Sequence, residues 1–70
     1  MSIEHTQEAV VAAFLEVRTS TGKGRLNLTR DGVTILIHGM IASPDSIILF
    51  GPDEQNIMLE DTDILEKPGV

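Results

Sequence analysis

The segment from Val33 to Phe50 constrains this chain most. It holds a long strand pattern interrupted by Gly39, a Ser43-Pro44-Asp45-Ser46 turn, and then four large apolar residues in a row, Ile47 to Phe50. A glycine inside a strand marks a sharp bend or the close approach of another backbone. The unbroken run Ile47 to Phe50 has no polar alternate positions, so both faces of that strand need shielding from water. One face can turn into a core. In a chain of only 70 residues, the other face needs cover from outside, and a second copy of the chain is the simplest source. A domain this small buries only about 60% of its unfolded surface, which makes association a common supplement to stability.

Composition narrows the alternatives. There is no cysteine, which excludes disulfides and thiolate metal sites, and with two Phe and no Trp or Tyr the core must come from Ile, Leu, Val, Met and Ala. No apolar stretch approaches the roughly 18 residues that a membrane span needs, and no segment has the pattern of a secretory signal. The chain therefore reads as cytoplasmic. The formal charge is -6, which disfavours binding polyanions over the whole surface. The charge is unevenly spread. Arg18, Lys23, Arg25 and Arg30 are four of the five basic residues, whereas eight of the eleven acids lie from Asp31 onward.

A single domain, 1–70, is expected, with a helix over 3–17, a linker over 18–24 and a barrel over 25–66. Ile3, Ala9, Val10, Ala13, Phe14 and Val17 recur at helical steps, with Val11 and Leu15 widening the stripe. Ser2 or Thr6 can cap this helix; Glu4 and Glu8 suit its start and Arg18 its end. Thr19 to Gly24 is a polar linker whose Gly22-Lys23-Gly24 lacks the spacing and flanking elements of a phosphate-binding loop. Five strands follow: Arg25–Thr29; an Arg30-Asp31-Gly32 hairpin turn of the Asp-Gly type into Val33–Ala42; Ile47–Phe50; Asn56–Glu60 after the Gly51–Gln55 turn; and Ile64–Leu65. Along Val33–Ala42, one face carries Val33, Ile35, Ile37, Gly39 and Ile41, and the other carries Leu36, His38 and Met40. The fold class is mainly β, a small antiparallel barrel behind one N-terminal helix.

This layout resembles the Sm-like family, in the arrangement of its bacterial Hfq branch. Gly39, Ile41, Asp45 and the run Ile47 to Leu49 match the family's first motif; Asn56 to Leu59 and then Asp63, Ile64 and Leu65 stand for its second. The resemblance spans about residues 10 to 67. It implies a strongly bent five-stranded barrel whose subunits form homo-oligomeric rings of about five to seven by pairing the fourth strand of one with the fifth of the next. It also implies single-stranded RNA as partner. The residues at the family's inner uridine pocket depart from its pattern: Pro44 precedes the motif aspartate, Ile47 stands where a base-stacking ring is usual, and Asp61-Thr62 replaces a Lys-His pair. An aliphatic side chain forgoes stacking worth about 1–3 kcal/mol per base, and an aspartate repels phosphate. That pocket is expected to be lost. The basic rim formed by Arg18, Lys23 and Arg25 is retained, on what reads as a flexible arm.

Other chemistry is weaker. His38 and His5 have no nucleophile to serve, so no catalytic residue is assigned. Glu60, Asp61 and Asp63 are too few oxygens for a calcium site and read as a solvated corner, so no metal or cofactor is expected. Asp45 is expected to accept backbone hydrogen bonds in its turn, and Met40 and Met58 to fill the core. The reading is a non-enzymatic ring protein that touches RNA through its rim. Its rivals are a ring-forming structural or protein-interaction module without RNA recognition, and a monomeric barrel that binds a protein tail.

Overall fold

The computed structural model describes residues 2–68. It has one helix, α1 (Gln7–Thr21), followed by β1 (Leu26–Arg30), β2 (Val33–Ile37), β3 (Gly39–Ala42), β4 (Ile47–Phe50), a short 3-10 turn (Pro52–Glu54), β5 (Asn56–Met58) and β6 (Ile64–Glu66). The strands form two antiparallel three-stranded sheets, ordered β2-β1-β6 and β3-β4-β5. The expectation of an N-terminal helix and mainly β structure holds. The closed five-stranded barrel does not: β5 and β6 stand at separate sheet edges, and there are six strands among the described residues. No helix among the described residues is long and apolar enough to cross a membrane.

The sixth strand arises because the long central strand breaks at His38. Its main-chain N–H still donates to Phe50 O at 3.0 Å, and its Nε2 lies 2.9 Å from Gly51 O. The residue itself belongs to neither sheet's register, much as a bulge inserts one residue and swaps the faces beyond it. Ile35 and Ile37 face the core before the break, and Met40 and Ala42 pack against it after the break. Gly39 and Ile41 therefore lie on the outer face, opposite to the alternation expected from sequence. At Gly39 a side chain would meet the Phe50 ring at 3.2 Å, so the glycine serves the close approach of the ring beside it.

The helix is shifted relative to its apolar stripe. Thr6 is the N-cap, accepting from Ala9 N through Oγ1 at 3.1 Å, and Gly22 closes the C-terminus with a left-handed φ of 80°. Residues 18–21 are thus helical and not linker, whereas Ile3 lies outside the helix. Val10, Ala13 and Val17 are its buried face. They meet Leu26, Leu28, Ile37, Ile47, Leu49 and Leu65 in one core. The β1–β2 hairpin turns on Asp31 and Gly32, both with positive φ (52° and 78°), as a two-residue turn matched to strand twist requires.

Candidate functional site

The rim residues Arg18, Lys23 and Arg25 are all exposed at the C-terminal end of α1. Their connection to the helix is fixed. Thr21 Oγ1 lies 2.8 Å from Val17 O and 2.9 Å from Lys23 O, with one proton to share between the two carbonyls, and accepts from Lys23 N at 3.3 Å. A single hydroxyl so bonded folds the chain back onto the helix end. Arg18 sits in the last helical turn, where its charge also complements the helix dipole. The expected flexible arm is therefore a helix end followed by a tied turn.

At the opposite end of α1 a cleft of about 320 Å³ is lined by His5, Thr6 and Gln7 from the helix start, by Ser43 to Ile47, and by Leu59 and Asp61. Of the pocket positions Ile47, Asp61 and Thr62, the first two line this cleft, beside the motif residue Asp45, and Thr62 is not part of the lining. Ile47 is buried in the core, so it offers no platform to a base. Asp45 is exposed and does not close its turn. Ser43 does so instead, its main-chain N–H reaching Ser46 O at 2.9 Å and its Oγ donating to the same oxygen at 3.0 Å. Gln7 Nε2 donates to Ala42 O at 3.0 Å and ties the helix start to this turn. Two exposed carboxylates and no lysine or arginine line the cleft, which disfavours phosphate there.

Asp63 is more than a solvated corner. It is 4% exposed and is the one buried charged residue among those described. Arg30 Nε donates to its Oδ1 at 2.8 Å and Arg30 Nη2 to its Oδ2 at 2.6 Å, while Glu60 N donates to Oδ2 at 2.9 Å. The same guanidinium reaches Glu60 Oε2 at 3.1 Å and Met58 O at 3.0 Å. The hydrogen bonds from Arg30 hold the Asp63 carboxyl below its ordinary pKa, against the opposing effect of burial. The partner guanidinium is held above its own ordinary value, first by the hydrogen bond to Asp63. Sequence reasoning placed Arg30 in a turn and missed this role. A signal was present, because Arg30 continues the alternation Leu26, Leu28, Arg30 and so points along the inward face of β1.

The third feature is a pair of sheet edges, at β5 and β6, with no further strand beside them. In β4–β5 the register sets Ile48 opposite Met58, and Leu59 N donates to Ile47 O at 3.0 Å. Antiparallel pairs alternate between bonded and non-bonded, so the main-chain groups of Met58 turn outward from β4, and Arg30 takes the carbonyl. On the outer face of this sheet Ile41, Ile48 and Met58 form one cross-strand row. Ile41 is 57% exposed and Met58 61%, which corrects the expectation that Met58 fills the core. On the other edge, Ile64 of β6 is 47% exposed. A scan against protein-family models, a search of curated proteins and a search of solved structures each found no match to this chain.

Proposed function

We propose that copies of this chain join edge to edge, β5 of one beside β6 of the next, into an Sm-like cytoplasmic ring of about five to seven subunits that is not an enzyme. The observation that carries this reading is the outer row Ile41, Ile48 and Met58 running out to an unpaired strand edge, with Ile64 exposed on the second edge. Unpaired strand edges beside exposed aliphatic surface favour pairing with another chain. The order β6-β1-β2, continued through His38 into β3-β4-β5, supports a bent strand layout of the Sm-like kind with the two joining edges at its ends. Supporting single-stranded RNA as the partner are the exposed cations Arg18, Lys23 and Arg25, which assembly would repeat around a rim. Such contacts go to phosphates and weaken with salt. Buried Ile47 and the carboxylates of Asp45 and Asp61 weigh against the inner cleft in this role.

The acidic cleft also favours a second reading, a ring that serves as a scaffold and binds no RNA. Titration of labelled oligo-uridine and oligo-adenosine at two salt concentrations separates the two. The RNA reading expects binding that falls with salt and drops at least about tenfold when Arg18, Lys23 and Arg25 all become Ala. Binding absent at low salt, or unchanged in the triple variant, leaves the scaffold reading.

A further inference from the structure

Ile3 lies ahead of the helix, and its main-chain N–H donates to Leu65 O at 2.6 Å. Leu65 is the middle residue of the three-residue strand β6, set opposite Leu28 of β1. A carbonyl bonded to Ile3 faces away from β1, so by alternation Leu65 carries the outward-facing main-chain groups of this edge, and Ile64 and Glu66 turn theirs toward β1. The Ile3 side chain is half-buried and packs against the core cluster. The segment ahead of Thr6 is thus anchored by both its backbone and its side chain. It covers the edge position that a neighbouring strand would use first.

We propose that the segment preceding α1 is a strap that caps the β6 edge through Ile3 and must be displaced before β5 of a second copy can pair there. This inference rests on the edge-to-edge assembly proposed above. A single three-residue strand offers few outward groups, so strap and neighbour compete for the same carbonyl of Leu65. The strap then has two effects. It shields the edge of an isolated subunit, as short covered edges commonly do, and it sets a concentration threshold for assembly, because each joint formed must first release one strap.

The test compares three variants with the wild type by light scattering over a concentration series, together with amide hydrogen exchange at low concentration. Ile3→Pro removes the N–H donor; deletion of residues 2–5 removes the strap but keeps the Thr6 cap; Ile3→Ala keeps the donor. The Ile3 amide of the dilute wild type should be protected. Ile3→Pro and the deletion should each assemble at a concentration at least about threefold lower than wild type, the scale set by one net hydrogen bond. Ile3→Ala should stay nearer to wild type than either. An unprotected Ile3 amide overturns the strap, as do rings that form at the same concentration in wild type, Ile3→Pro and the deletion. If a protected Ile3 amide is found but no variant assembles at any concentration, the ring reading itself falls and the proposed competition falls with it.

Discussion

Asp63 is the residue on which the junction between the two sheets depends. Its carboxylate accepts two hydrogen bonds from Arg30 and one from Glu60 N. Because its folded pKa lies below the ordinary carboxylate value, the stabilisation is complete above about pH 5 and is lost as the pH falls through that lowered value. Asp63→Asn should lower the melting temperature most at neutral pH, with a loss of about 2 kcal/mol, and the gap to wild type should close in acid. A gap independent of pH would contradict the assignment. Gly24 makes a second prediction, since a Cβ added there would fall into the Phe14 ring. Gly24→Ala should cost about 1–3 kcal/mol in denaturant unfolding, as overpacking does. At this scale the sequence was legible where chemistry is local. Asp31-Gly32 announces its turn, but nothing local joins Arg30 to a carboxylate 33 positions away, and nothing local points to the ring beside Gly24.

Among the elements, α1 was legible as a helix, but its limits were not. The apolar stripe begins at Ile3, but that residue bonds to β6, and the helix waits for the Thr6 cap. Thr6→Ala should cost about 1 kcal/mol, read as a lower melting temperature. The same change should leave the protection of the Ile3 amide in place, because the strap is held by Leu65 O. At the other end, Thr21 Oγ1 holds the turn that sequence alone reads as a loose polar linker, through bonds to groups only two and four residues away along the chain. Val33 to Ala42 was expected as one long bent strand, and the fold divides it into β2 and β3 in separate sheets. Gly39 was the visible cue, but the break falls one residue earlier, at His38, whose ring reaches Gly51 O. One unpaired residue reverses which of Gly39, Met40 and Ile41 face outward, so periodicity read straight through the bend gave the wrong face.

Taken whole, the molecule joins a basic helix end, an acidic cleft and two sheet edges, at β5 and β6, with no further strand beside them in a chain of 7.6 kDa. The apolar character of both faces was legible in the run Ile47 to Phe50: Ile47 and Leu49 fill the core, while Ile48 joins Ile41 and Met58 in the outer row. Which edges remain open depends on the pairing of distant strands and had to come from the fold. Edge-to-edge joining is tested most directly by disulfide trapping, which a chain without native cysteine allows. Chains carrying Met58→Cys are mixed with chains carrying Ile64→Cys, refolded together and oxidised. The mixture should give a covalent dimer that neither variant forms alone, and the double variant a ladder ending at about five to seven chains. No dimer in the mixture beyond that of the separate variants, with the double variant remaining a single chain, would contradict the account.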